Sequence, residues 1–152
     1  MLRDNINNAM KDAMKARDER RVSTLRMMNA AIKNADIEAR GVGKPPLTDE
    51  ELLGLLQKMI KQRQESVELY QKGNRADLVA QEQGEIDIIS GYLPAQLSDG
   101  EIGTVIAALV KETGATAMKD MGRVMAAIKE RYAGKLDIGK ASAAVKKLLS
   151  GG

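Results

Sequence analysis

The chain contains no histidine, cysteine, tryptophan or phenylalanine, and only three tyrosines among 152 residues. Without cysteine there are no disulfides and no thiolate metal sites, which fits a reducing compartment. The expected location is therefore cytoplasmic. Without histidine or cysteine, side-chain catalysis loses its commonest bases, nucleophiles and metal ligands. Carboxylates, Lys, Ser, Thr and Tyr remain. The scarcity of aromatics removes the rigid anchors of ligand pockets and the platforms on which bases stack. No apolar run approaches the roughly 18 residues of a membrane span. The opening segment MLRDNINNAMKDAM has no apolar core of a secretory signal. Asp4 and Asp12 are unusual in a transit peptide, so this segment is read as a helix of the fold.

What is present suits a folded chain. Hydrophobic residues make up 43% and charged residues 30%, a balance that favours a packed core over disorder. Nine methionines fill gaps that aromatics would otherwise occupy. The net charge of +3 is unremarkable, but its distribution is uneven. From Lys119 onward there are eight Lys and Arg against Asp120, Glu130 and Asp137. From Asp77 to Glu112 there are seven acids against Lys111 alone. A basic end can hold a polyanion that an acidic middle would repel.

Apolar spacing is helical throughout. Leu2, Ile6, Met10, Ala13 and Met14 make one stripe; Val22, Leu25, Met28, Ile32 and Ala35 make a second. After the Gly41–Pro46 break, Thr48 and Glu51 form a capping box. Leu52, Leu56, Met59, Ile60, Val67 and Tyr70 carry that helix to Lys72. Gly73-Asn74 reads as a stop and a new cap. Leu78, Val79, Ile86 and Ile89 follow. Gly91 is expected to end this helix in the left-handed conformation, and Pro94 cannot continue it. Tyr92 and Leu93 are expected to pack at a domain junction. Ser98 and Glu101 form a second capping box, leading Ile102, Val105, Ile106 and Leu109 to Gly114. Met121, Val124, Met125, Ile128 and Tyr132 make the next stripe. Asp137 caps the last helix, with Ile138, Ala141, Val145 and Leu148 as its apolar face. The spacing predicts an all-α fold of about seven helices. Residues 1–93 are expected to form an N-terminal domain of about four helices. Residues 94–152 are expected to form a three-helix tail.

The C-terminal cations are the candidate binding site: Gly122, Arg123, Lys129, Lys135, Lys140, Lys146 and Lys147. Free N–H groups at a helix start near Met121-Gly122-Arg123 can hold a phosphate, with Gly122 allowing close approach. RNA duplexes are recognised through shape, phosphates and 2′-hydroxyls, so Lys and Arg suffice without aromatics. The plainer alternative is a solvated lysine face, with Asp120 as a helix cap and Gly122 and Gly139 as close packing contacts. Arg63, Arg75, Asp77, Glu82 and Glu85 read as structural ion pairs across neighbouring helices. Arg17, Arg20, Arg21 and Arg26 read as a solvated turn. No serine stands in a nucleophile motif. No catalytic residue, metal or cofactor is expected, nor a membrane or small-molecule substrate.

Three stretches carry a resemblance that spans essentially the whole chain. They are Gln62-Arg63-Gln64-Glu65-Ser66 through Tyr70 to Gly73-Asn74-Arg75-Ala76-Asp77-Leu78 and Glu82; Tyr92-Leu93-Pro94-Ala95-Gln96-Leu97-Ser98; and Asp120-Met121-Gly122-Arg123-Val124-Met125 with Gly134, Gly139 and Lys140. In this order they resemble the YqeY family. The C-terminal part is similar to the tail domain of the B subunit of the glutamine-dependent Asp-tRNA/Glu-tRNA amidotransferase. The resemblance implies an all-helical fold with a three-helix tail. It also implies tRNA association, with an amidotransferase or an aminoacyl-tRNA synthetase as further partner. The implied role is a non-catalytic tRNA-binding accessory module; a helical protein–protein adaptor without RNA is the alternative. A carbon–nitrogen ligase label with glutamine as amido donor would reflect the large enzyme, whose catalytic domains have no counterpart here.

Overall fold

The computed structural model describes residues 1–151, and among these there is no β-strand. The described helices are α1 (Leu2–Ala16), α2 (Glu19–Gly41), α3 (Asp49–Lys72), α4 (Ala76–Ser90), α5 (Asp99–Thr113), α6 (Met121–Arg131) and α7 (Ile138–Ser150). A 3-10 turn, Met118–Asp120, leads into α6. The all-helical class read from the apolar spacing is the one the structure shows. The helices gather in two compact units, Met1–Leu93 and from Pro94 onward. None of the described helices is long and apolar enough to cross a membrane.

In the first unit, the starts of α2 and α3 are set by side-chain caps. Asp18 accepts from the Arg21 N–H. Thr48 and Glu51 exchange hydrogen bonds at 3.2 Å in each direction. The stripes then converge: Ile6, Leu25, Met28, Leu52, Leu56 and Ile89 are fully buried in one cluster. Burying each such side chain stabilises the fold by about 1.5–3 kcal/mol. Tyr92 and Leu93 pack against this same cluster. Two punctuation residues behave differently from the expectation. Gly91 stays right-handed, at φ −61. Asn74 caps nothing and instead takes the left-handed turn itself, at φ 56, so α4 opens without a side-chain cap. An unanticipated clasp ties α1, α2 and the approach to α3. The Arg3 guanidinium donates to Asp36 (2.6 Å) and to the Leu47 carbonyl (2.8 Å), while Asp36 accepts from the Leu47 N–H (2.9 Å). The Leu47 amide, aided by Arg3 against a burial cost, holds the Asp36 carboxyl below its usual range.

In the second unit, Ser98 and Glu101 form the second capping box, and Gly114 ends α5 left-handed at φ 69. Asp137 caps α7 by accepting from the Gly139 and Lys140 N–H groups. The core is Ile102, Ile106, Leu109, Val124, Ile128, Leu136, Ala141, Val145 and Leu149. Here the last stripe is corrected: Leu149 is buried, while Leu148 is 46% exposed and Ile138 sits at the edge. Residues 145 and 149 are one turn apart on the inner face, whereas 148 is rotated off it. Leu136, in the turn between α6 and α7, is 1% exposed and was not signalled by any helical period. The strand of chain before α5 is lashed to that turn: the Leu97 N–H donates to the Lys135 carbonyl and the Gln96 amide to the Gly134 carbonyl.

Candidate nucleic-acid interface

The basic end does not survive folding as a block of free charge. Arg123 donates to Asp120 at 2.7 Å, Arg131 grips Glu112 with two bonds of 2.7 Å, and Lys140 reaches Asp99 at 3.2 Å. Two of these pairs join the basic end to the acidic stretch before it, so the polarity seen along the sequence is partly cancelled in space. All three pairs carry an exposed cation. Exposed pairs contribute little stability, about 0–1 kcal/mol, and exchange readily for another anion. The Arg131 bonds hold the Glu112 carboxyl below its usual range.

Lys119, Lys129, Lys135, Lys146 and Lys147 are exposed and form no ion pair among the described residues. Most acids of the same unit are occupied. Asp99 and Glu112 are paired as above, and Glu101 and Asp137 cap helices. Asp120 accepts from the Thr116 and Ala117 N–H groups as well as from Arg123. The Thr116 amide leads in holding its carboxyl below the ordinary value. Lysines therefore supply the surplus. Lys119 belongs to this group although its motif context did not single it out; the charge count alone pointed to it.

Helical geometry spreads the predicted set rather than focusing it. At about 100° per residue, Arg123 and Lys129 on α6 point about 120° apart. On α7, Lys140 and Lys147 share one stripe, and Lys146 is turned about 100° from Lys147. At the start of α6 the Met121 N–H donates to the Met118 carbonyl of the 3-10 turn. Asp120 serves that turn and caps no N–H of α6. Gly122 is exposed, and a Cβ there would meet nothing within 4 Å, so no internal packing requires it. Gly139 is likewise exposed, and its N–H bonds to Asp137 at 2.7 Å as part of the α7 cap.

The first unit holds a different polar cluster. Arg63 on α3 and Glu85 on α4 form a 3.0 Å pair with side chains only 14% and 12% exposed. Arg63 also donates to the Met59 carbonyl. Burial, reinforced by the nearby Glu85 charge and opposed by Arg63, pushes the Glu82 carboxyl up. Arg75 pairs with Asp77 and not with the α4 glutamates. Arg20 lies across Gly84, where a Cβ would come within 2.8 Å of its guanidinium. These contacts make the cluster a brace between helices. Among the described residues no group of three or more His, Cys, Asp or Glu is arranged to hold a metal.

A family model described as Yqey-like protein matches residues 3–149. Similar proteins include three fungal ones, each named altered inheritance of mitochondria protein 41, mitochondrial. The one from Lachancea thermotolerans is 40% identical over 111 residues, covering 71% of this chain and 57% of its own length. That from Pyrenophora tritici-repentis is 35% identical over 133 residues, covering 80% and 68%. That from Vanderwaltozyma polyspora is 33% identical over 118 residues, covering 74% and 62%. The chain thus spans between about half and two thirds of the length of these relatives. Their mitochondrial names overturn the cytoplasmic location expected above. The physical reason is that lacking cysteine excludes disulfides without distinguishing one reducing compartment from another.

Proposed function

The chain belongs to the Yqey-like family, and from that premise we propose that it is a non-catalytic accessory module that holds tRNA through phosphate contacts of its second unit. The tail domain of the amidotransferase B subunit is the likeness that gives this unit its role. An amidotransferase or an aminoacyl-tRNA synthetase is the enzyme it serves. One observation carries the reading: Lys119, Lys129, Lys135, Lys146 and Lys147 of the second unit are exposed and form no ion pair among the described residues, while its acids are mostly occupied. Lys129, Lys135, Lys146 and Lys147 make the contacts from the outset. Arg123 and Lys140 join by exchanging a carboxylate for a phosphate, and Gly122 leaves room for the backbone. Cations that point in several directions suit a folded RNA with many phosphates more than a single bound phosphate.

The test is fluorescence anisotropy of labelled bulk tRNA with the full-length protein at low salt. The double variant Lys146→Glu with Lys147→Glu should weaken binding by about tenfold or more and leave helical circular dichroism unchanged. Arg123→Glu with Lys140→Glu should cost less, because each of these residues gives up an existing partner. Undiminished affinity in the first variant, or no binding by the parent protein at micromolar concentration, would overturn the reading.

A further inference from the structure

The second unit carries an apolar groove that shares only Lys147 with the phosphate reading. It lies between α5 and α7, has a volume of about 440 Å³, and is lined by Gly103, Ile106, Ala107, Ala144, Lys147 and Leu148, closing at Gly151. The two helices run parallel here. Asp99 meets Lys140 at their starts, and Gly103 and Ala107 share the groove with Ala144 and Leu148 further on. Leu148 stands half-exposed on the wall instead of joining the core.

Gly103 is the informative residue. It sits inside α5, where glycine weakens a helix relative to alanine. Its backbone needs no left-handed conformation, and a Cβ would meet nothing within 4 Å. Nothing within this chain explains its presence. A bare backbone at 103 with alanine at 107, one turn on, lowers one wall of the valley and lets another helix approach closely.

Charge decides what kind of helix. Lys147 is the single polar side chain of the lining. Lys111 follows Ala107 by one turn on the same face of α5. The sequence of α7 contains no acid at all. A small-molecule site would need several converging polar groups, which this groove lacks. A helix laid along it needs an apolar stripe for the floor and carboxylates for the lysines at its rim.

We propose that the α5–α7 groove docks an amphipathic helix of a partner protein, one whose apolar stripe is flanked by Asp and Glu. The proposal adds a protein interface to the same unit and shares only Lys147 with the tRNA contacts. Its probe is a synthetic amphipathic peptide of about 18 residues, five helical turns, with a Leu/Ala stripe flanked by Glu. The control is the same peptide with Lys in place of Glu. Titrated into the full chain labelled with 15N, the Glu peptide should shift the amides of Gly103, Ala107, Ala144 and Leu148. It should bind about tenfold or more tightly than the Lys peptide. A Cβ at residue 103 meets nothing within 4 Å, and Gly103→Leu puts its side chain into the groove, so that variant should keep its circular dichroism and its tRNA affinity and lose the peptide by about tenfold or more. Equal binding of the two peptides, shifts on another face, no binding of either, or full binding by Gly103→Leu would overturn the proposal. Concentration-dependent self-association abolished by Gly103→Leu would assign the groove to a second copy instead, and would equally overturn it.

Discussion

Arg63 and Glu85 show how one pair of residues fixes two helices. Each side chain is mostly withdrawn from water, so neither charge is well solvated without the other. Glu85→Ala should therefore destabilise the protein by about 2–3 kcal/mol, read from the urea midpoint. Lys146→Ala, on the exposed face, should change stability by less than about 0.5 kcal/mol. Glu82 acts in the opposite sense. Its carboxyl is raised in the folded state, so the fold binds a proton more tightly there than the unfolded chain does. Stability from this group is fully present below the unfolded carboxylate range and falls as pH rises from that range through the raised value. Glu82→Gln should stabilise the protein at pH 7 and give no such gain at pH values below the ordinary glutamate range. Thermal denaturation across pH checks this, and a pH-independent gain would sink it. The pairing of Glu85 with Arg63 was legible as helix-to-helix charge matching. The Arg3–Asp36–Leu47 clasp was not, because its members lie 33 and 11 residues apart and no local period links them.

At the scale of the element, helix starts were the most readable feature. Thr48 and Ser98, each followed three residues later by Glu, satisfy the same orphan N–H groups in the structure that the pattern announces. Helix ends were less readable. Asn74, expected to cap α4, takes a left-handed turn instead, and Gly91, expected to be left-handed, stays right-handed, because which residue adopts that turn depends on where the next helix must go. The outer face of α7 was misread by one residue at Leu148 and Leu149, since an Ala-rich helix with two adjacent leucines offers two inner faces of similar hydrophobicity. Glycines inside helices give a direct test. Gly54 lies within α3, is exposed, and would meet nothing within 4 Å if given a Cβ. Gly54→Ala should stabilise the protein by about 1 kcal/mol, measured by denaturant unfolding. A loss of stability there would mean that α3 does not run straight through residue 54 in solution.

For the molecule as a whole, the balance of free and paired charge governs any meeting with a polyanion. If Lys129, Lys135, Lys146 and Lys147 each neutralise one phosphate, log affinity for tRNA should fall against log salt with a slope of about −3 to −4. Recruitment of Arg123 and Lys140 would steepen it toward about −4 to −5. A slope near zero would show that binding, if present, rests on something other than phosphate contacts. A composition without histidine also predicts that this binding varies little between about pH 6 and 8, since no side chain of ordinary pKa titrates there.

Sequence alone determined the helical class, the capped starts of α3, α5 and α7 and most of the buried stripes, because these follow from spacing and capping within a few residues. It also determined the chemistry the chain must do without, since composition is independent of folding. Tertiary structure decided which charges are free. Asp99 and Lys140, or Glu112 and Arg131, are far apart along the chain and become partners only when α5, α6 and α7 pack together. It likewise decided that Leu148 borders a groove and that Gly103 opens it, because burial belongs to the way helices assemble and a single helix carries no record of its neighbours.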